Sequence, residues 1–490
     1  MKLVLNGHDE RYIVEQSLMN LFPGELPVYE PVQPGDDSWA VISLAETSDH
    51  CRVNVELCYQ GKTLPRSFDC PLTGTDYEKE GQRRHAVAAC FFLAAQKLTG
   101  ITPPWGMLTG VRPDKPVTWA LAEGKTPEQA RAMLENRYFV TPERSALALE
   151  TGAQALRAAQ GLGPRDIAVY VGIPFCPTRC AYCSFVSHSV ERSFSLVPPY
   201  VEALIGEIRA GGAMVKEQGL NCRAFYMGGG TPTTLTAEQM DRVLTAFEES
   251  FDLADCSEIT VEAGRPDTIT AEKMAVLKAH AVTRVSVNPQ TMEDHVLAAI
   301  GRRHTADELS AAMELVAKYD FPHVNMDLIA GLPEDSPEGF RRSLDQCIAF
   351  GTDNITVHTL ALKKGSRILL DGLRVPAPEA VAEMLDYAAP RLRGADFLPY
   401  YLYRQKYMSG SFENIGWAKR GAECLYNIYI MSELCSILSF GAGGSTKMVE
   451  PGTNHIERVF NLKYPKEYTE RPEKCIANQA AFADFYKKLK

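Results

Sequence analysis

Three cysteines share one short stretch of this chain, Tyr170-Val-Gly-Ile-Pro-Phe-Cys176-Pro-Thr-Arg-Cys180-Ala-Tyr-Cys183. Spacings of four and three residues place three thiolates on a single loop, close enough to hold one compact inorganic centre. A structural zinc site takes four ligands and commonly pairs its cysteines, and no second pair follows downstream. Three thiolates fit a [4Fe–4S] cluster better, because they ligate three irons and leave the fourth open to a substrate or cofactor. Zinc with His188 as a distant fourth ligand is the alternative that ligand chemistry leaves open. The other ten of the thirteen cysteines stand singly and read as core thiols of a reducing compartment.

Further segments offer polar groups at strand ends. Gly228-Gly-Gly-Thr-Pro232 is either a tight turn or a cradle that lets backbone groups approach a ligand closely. Glu262 closes a β-branched run, where its carboxylate either accepts hydrogen bonds from ribose hydroxyls or faces solvent. Tyr400-Tyr-Leu-Tyr-Arg404 alternates as a half-buried strand does, or offers aromatic walls and a cation to a flat anionic ligand. Gly441-Ala-Gly-Gly444 follows a helix and one short strand, a poor context for a dinucleotide loop; a tight turn or a backbone approach to a cofactor suits it better. His85 and His358 read as structural histidines. No hydrolase triad or phosphate-binding loop is present.

The elements that must position these groups alternate. Strand-like runs near 167–173, 225–227, 258–262, 283–287, 323–329 and 355–360 are each followed by polar or Gly/Pro-rich residues, and the first five by helical patterns. Six such units predict a parallel α/β sheet with right-handed crossovers, an open sheet or a partial (β/α)6 barrel, its chemistry gathered at the C-terminal ends of the strands. Residues 1–164 read as an α+β domain, with Gly161-Leu-Gly-Pro164 as the linker; residues 165–375 form the barrel and 376–490 a C-terminal α+β extension.

Composition narrows the class. Hydrophobic residues are 45% and charged residues 23% of the 490, values of a soluble globular protein. The longest apolar run, from Ala86 to Ala95, has ten residues, about half of what crosses a bilayer. The first residues turn polar too early for a signal peptide, so a cytoplasmic chain without a membrane span is expected. A net charge of −10 gives no strong nucleic-acid signal but leaves room for a small anionic substrate held by local arginines.

The Cys-x3-Cys-x2-Cys spacing with Tyr182 before the third cysteine resembles the radical S-adenosylmethionine (SAM) superfamily. Tyr170-Val-Gly-Ile-Pro-Phe-Cys176 resembles its oxygen-independent coproporphyrinogen III oxidase group. So do, in order, the glycine segment, Glu262, Gln290, Gly301-Arg-Arg-His-Thr305 and Asn325-Met-Asp-Leu-Ile-Ala-Gly-Leu-Pro333. The resemblance spans about 165–450. Leu108-Thr-Gly-Val-Arg-Pro113 and Phe440-Gly-Ala-Gly-Gly-Ser-Thr-Lys447 are similar to the HemZ-type branch.

That resemblance implies a [4Fe–4S] cluster on Cys176, Cys180 and Cys183 whose open iron chelates SAM, so that reductive cleavage gives methionine and a 5′-deoxyadenosyl radical. It implies Tyr170, Tyr182, Gly228, Gly229, Gly230, Thr231 and Glu262 around the first SAM. Gln290, Arg302, Asp327 and Ala361 match positions that contact a second. The implied reaction is oxidative decarboxylation of two coproporphyrinogen III propionates to vinyls, fed by a low-potential donor such as flavodoxin or ferredoxin. Arg265, Arg303, Arg404 and Lys406 are the candidate cations for the tetrapyrrole, and Tyr400, Tyr401 and Tyr403 the candidate walls. Phe185 departs from the oxidase pattern, which has a further cysteine there, and matches the haem-chaperone branch. A haem-binding or haem-delivery protein, or another radical SAM reaction on a tetrapyrrole, therefore stands as the alternative.

Overall fold

A computed structural model describes all residues except 23, 109, 184–187, 363–365, 406–408, 454 and 490, and the side chains of 191, 192 and 409. Phe185 and Lys406 thus lie outside the described residues. The chain divides into one unit of Met1–Leu149 with Gly410–Phe412 and a second of Glu150–Ser409 with Glu413–Lys490. The division falls inside the helix Pro142–Gln160 rather than at the Gly161–Pro164 segment.

In the first unit, β1 (Lys2–Asn6) runs parallel to β2 (Ser38–Glu46), which continues antiparallel into β3 (His50–Tyr59) and β4 (Lys62–Pro71). Alternate residues of β3 are buried, the pattern of a sheet with one face covered. Helices α1 (Arg11–Leu21) and α2 (Asp76–Thr99) share that core: Leu18 and Phe22 meet Val53, Leu57 and Phe91. A capping box of Thr75 with Glu78 starts α2, and left-handed Gly100 ends it. The ten-residue apolar run is the buried middle of α2. No helix among the described residues is long and apolar enough to cross a membrane. The sequence pattern missed α1, and it missed β4 because charges and Pro65 interrupt the run, as an edge strand tolerates.

The second unit is built on one sheet. Its parallel strands are β5 (Asp166–Ile173), β6 (Asn221–Gly229), β7 (Glu258–Gly264), β8 (Arg284–Val287), β9 (His323–Ala330) and β10 (Asn354–Thr359), hydrogen-bonded in chain order. Between them lie α3 (Val197–Gln218), α4 (Ala237–Ser250), α5 (Ala271–Ala279), α6 (Ala306–Ala317) and α7 (Pro337–Ala349). The helix Pro378–Arg393 follows β10 and packs on α7 and β9, so each of the six expected strands is followed by a helix. The C-terminal residues do not make a sheet of their own but lengthen this one. On one side β12 (Asn414–Ala418) pairs antiparallel with β10 and with β11 (Leu398–Tyr403). On the other, β13 (Ser436–Phe440) runs parallel to β5 and leads to β14 (Ser445–Val449) and β15 (Ile456–Phe460). Among the described residues the sheet has eleven strands in a linear order, so it is open rather than closed on itself, consistent with a partial barrel. Gly441 forms the tight turn after β13; a Cβ there would lie 2.5 Å from Gly172 O and from the Tyr200 hydroxyl.

Candidate functional site

The cysteine loop leaves the C-terminal end of β5 and is tied down from several directions. Phe175–Cys176 pairs in parallel with His188–Ser189, and Ser189 Oγ donates to Pro177 O at 3.0 Å. Ala181 N donates to Ile300 O at 2.9 Å and Thr178 Oγ1 to Gly301 O at 3.1 Å. Arg265, just past β7, donates from Nη1 to Thr178 Oγ1 at 2.6 Å while Nε and Nη2 grip Asp267 at 3.0 and 2.8 Å. A loop without regular structure is thereby fixed by side chains distant in sequence.

Its three thiols face a cavity of about 340 Å³ at the C-terminal edge of the parallel strands. Thr231 Oγ1 donates to Cys176 Sγ at 3.6 Å. Gly230 N and Thr231 N donate to Ile173 O and Phe175 O, both at 2.7 Å, clamping the end of β6 against the start of the cysteine loop. The clamp explains the glycines: Gly229 has φ +108°, and a Cβ on Gly230 would sit 2.5 Å from Phe175 O. Both line the cavity with Thr231; Gly228 does not.

Glu262, at the end of β7, lines the wall and accepts a hydrogen bond from the Tyr226 hydroxyl at 2.6 Å. Burial pushes its carboxyl up to about 7, against the pull of that hydroxyl, and the nearby Asp327 carboxylate pushes the same way. Asp327 behaves oppositely: burial alone would raise it, but hydrogen bonds with His358, Asn325 and Thr356 hold it below the ordinary range. Gln290 is held in the left-handed region, φ +69°, by its own backbone, whose N donates to Asp327 O at 2.9 Å and whose O accepts from Ile329 N at 3.0 Å. Arg302 donates from Nη1 to Asn288 O at 2.6 Å and from Nη2 to the Tyr182 hydroxyl at 3.3 Å. Gln290, Arg302, Asp327, Tyr182 and Ala361 all line the same cavity.

Other expectations resolve differently. Tyr170 stands one layer back, stacked with Tyr226 and Tyr426 at centroid distances of 6.2 and 6.1 Å, and does not line the cavity. Tyr400 is buried among Asn354 and Asn427, while Tyr401 and Tyr403 do form a wall, their rings 7° from parallel at 6.2 Å. Arg265 borders the cavity with its guanidinium already committed, so it is a strut for the cysteine loop rather than an anion-binding cation. Arg303 is exposed and Arg404 buried, and neither lines the cavity; burial lowers the Arg404 guanidinium to about 10.

Thr178, Tyr226, Asn288, Asn325 and Thr356, which the residue pattern gave no role, also line the cavity, as does His358, which it read as structural. His358 lies between Asp327 Oδ2, 3.8 Å from Nε2, and the Tyr403 hydroxyl, 3.4 Å from Nδ1. A signal existed: Asn325 and Asp327, and Asn354, Thr356 and His358, are polar residues at every second position, separated by apolar Met326, Ile355 and Val357, and so lie on one side of the sheet.

Residues 170–347 match the radical SAM superfamily. The chain is 37% identical over 484 residues, 96% of each protein, to the oxygen-independent coproporphyrinogen-III oxidase-like protein HemZ of Bacillus subtilis (strain 168). It belongs to this radical SAM family. It is also 29% identical over 321 residues, 63% of this chain and 76% of the relative, to heme chaperone HemW of Mycobacterium tuberculosis (strain CDC 1551 / Oshkosh). The fold is similar to coproporphyrinogen III oxidase (HemN) of Escherichia coli, with a TM-score of 0.52 and 21% identity over 68% of this chain and 73% of that one.

The superfamily's cofactors are a [4Fe–4S] cluster and SAM, and the arrangement of this cavity fits them. Three thiols open onto one space beside a glycine cradle with no room for side chains. Two polar atoms of the lining, Asn288 Oδ1 and Arg302 Nε, are buried without a protein partner, as suits a wall that meets a polar ligand. Among the described residues no three His, Cys, Asp or Glu gather closely enough to hold a single metal ion.

Proposed function

We propose that the cavity carries out radical SAM chemistry on a propionate-bearing tetrapyrrole, the oxidative decarboxylation of coproporphyrinogen III to protoporphyrinogen IX. One observation carries the reading: the thiols of Cys176, Cys180 and Cys183 share a single cavity with the glycine cradle, Glu262 and the stacked pair Tyr401 and Tyr403. When bound, the cofactors supply one-electron cleavage of a sulfonium and removal of a hydrogen atom from the propionate carbon β to the carboxylate. In this reading the three cysteines hold the cluster. Gly229, Gly230 and Thr231 present backbone groups to the methionine end of SAM, and the ionised Glu262 accepts from its ribose. Tyr401 and Tyr403 offer flat apolar faces with polar tips to the macrocycle. Gln290, Arg302, Asp327 and Ala361 then border the substrate or a second SAM.

The experiment is anaerobic incubation of the reconstituted protein with SAM, a low-potential reductant and coproporphyrinogen III, followed by product mass. Loss of two CO2 per macrocycle is the expected result; 5′-deoxyadenosine without decarboxylated product would remove the substrate and keep the chemistry. A haem-delivery role is the second reading, supported by the similarity to heme chaperones and by the aromatic Phe185. Also consistent with it is that Arg265, Arg303 and Arg404 are committed, exposed or off the cavity. Stoichiometric haem binding and transfer to an apo-haemoprotein, without turnover, distinguishes it.

A further inference from the structure

Glu262 does not stand alone at the end of β7. Its Oε1 accepts from the Tyr226 hydroxyl at 2.6 Å, and Tyr226 belongs to the neighbouring strand β6. The phenol is one of three mutually stacked rings, 4.6 Å from Tyr426 and 6.2 Å from Tyr170 between centroids. Tyr426 lies in the first turn of the helix Leu425–Ser432, where the backbone N–H groups of Leu425 and Tyr426 donate to Glu258 of β7 at 2.9 and 3.2 Å. Strand β7 thus pins that helix through Glu258, the helix supports Tyr226 through Tyr426, and Tyr226 returns to β7 at Glu262. Gly228 keeps the last step open, because an added Cβ would lie 2.8 Å from Tyr226 Cε1 and 2.9 Å from Glu262 Oε1. That contact accounts for a glycine that does not itself line the cavity.

The same bond bears on which form the carboxyl takes. Burial raises Glu262 most and the Tyr226 hydroxyl lowers it next; the smaller effects of the Asp327 carboxylate and the Gly229 N–H oppose each other, and the outcome is about 7. Tyr170 on β5, Tyr226 on β6, Asp327 on β9 and Tyr426 on the helix are within electrostatic reach of it, while its register partner on β8, Ser286, carries no charge. The three cysteines, Arg265, Arg302 and His358 line the same cavity. Burial and then the Glu262 charge push the Tyr226 phenol well above its ordinary range, so it remains a donor. One carboxylate oxygen is taken by the phenol, and the other keeps its lone pairs for a ligand.

We propose that Tyr226 is a positioning residue for SAM: its hydroxyl ties down one oxygen of Glu262 so that the other meets the ribose, and Gly228 is the space that lets the bond form. The inference rests on the reading of Glu262 as the ribose acceptor. Tyr226 acts through that carboxylate in two ways. It fixes the direction in which the free oxygen points, so less ordering remains to be done when the nucleoside arrives. It also favours the ionised form, the one that accepts from both vicinal hydroxyls. The stack with Tyr170 and Tyr426 holds the phenol in place for both.

The test is SAM binding to the full chain, reconstituted with iron and sulfide, by equilibrium dialysis across the pH range 6 to 9. The chains compared are the unaltered one, Tyr226→Phe, Glu262→Gln, the double variant and Gly228→Ala; iron content equal to that of the unaltered chain shows that each is folded. Tyr226→Phe keeps the ring in its stack and removes only the hydroxyl. Its binding midpoint should rise by about one pH unit, the worth of a hydrogen bond to a charged group. Affinity should then fall about fivefold at pH 7 and come within about twofold of the unaltered chain at pH 9. The amine of SAM titrates alike against every chain, so the difference reads the protein. In the Glu262→Gln background, loss of the hydroxyl should have no further effect. Gly228→Ala, which crowds the bond without removing either partner, should move the midpoint in the same direction. A Tyr226→Phe loss that is equal at every pH, or that persists beside Glu262→Gln, would overturn the positioning role, as would unchanged binding. Glu262→Gln that binds SAM as tightly as the unaltered chain would overturn the ribose reading beneath it, and the inference with it.

Discussion

In the N-terminal unit, β3 turns Val53, Val55 and Leu57 to the core and Arg52, Asn54 and Glu56 away from it. In the second unit, β7 buries Glu258 and Thr260 and carries the cavity-lining Glu262, β8 buries Arg284 and Ser286, and β10 buries Asn354 and Thr356. Both regions obey the same two-residue period, yet one fills its covered face with branched apolar side chains and the other with hydrogen-bonding groups. The polar interior is largely satisfied internally. Glu258 accepts from Leu425 N at 2.9 Å and Tyr426 N at 3.2 Å, Asn325 Nδ2 donates to Ser286 Oγ at 2.6 Å, and Asn354 Nδ2 to Ala422 O at 2.9 Å. The contrast shows where each region spends its sequence: the first on stability from apolar burial, the second on presenting fixed polar atoms to a ligand, where apolar layers would ordinarily fill a barrel.

The contrast would break most sharply at the cysteine loop. Cys180→Ala removes one of three cluster ligands, and iron and sulfide analysis after anaerobic reconstitution should show loss of nearly the whole cluster. Full iron content in that variant would detach the cysteine loop from the site. Next in size is the apolar side. Phe91 is fully buried in the α1–α2–sheet core, so Phe91→Ala should cost about 3–5 kcal/mol in urea unfolding of the first unit. SAM affinity measured on the same variant should stay unchanged, which would sharpen the division of labour.

Glu262→Gln tests the polar side. Losing a charged acceptor should weaken SAM binding by roughly tenfold or more in equilibrium dialysis. Because the carboxyl titrates at about 7, binding to the unaltered chain should strengthen as pH rises through 7, and the variant should lose that dependence. Stability runs the other way. The folded value lies above the unfolded one, so the contribution is full below about 4.5 and disappears as pH rises through about 7, which thermal melts of the SAM-free protein should record. The smallest effect is expected at Thr260, buried with Oγ1 lacking a partner. Thr260→Val should stabilise the protein by about 1 kcal/mol, because an apolar isostere relieves an unsatisfied hydroxyl. Destabilisation there would mean that even this position serves the polar interior.

Much of the architecture was legible because it is local. Strand cores and their helices follow hydrophobic period and turn residues within windows of ten to twenty positions, and the observed bounds of β5, β7, β9 and β10 fall within two residues of those expected. β4, β12, β14 and β15 were not legible. Each is short or charge-interrupted, and each is a strand only because a neighbour offers a free edge. The same limit hid Tyr226 and made His358 read as merely structural, since the place of both at the cavity comes from where the strand alternation points them.

By itself, the order of residues determined the thiolate trio, the glycine segment and the acidic strand end, since the spacing of ligands on one loop is settled within a few peptide bonds. Only the tertiary structure decided which charged groups remain available. Arg265 is engaged by Asp267 two residues away and by Thr178, which is 87 positions distant. Arg404 does not line the cavity that Tyr403 lines, and Arg179, between two of the cysteines, is left exposed. A hydrogen bond between distant segments exists only once the sheet has brought their strands into register, and no local pattern encodes it.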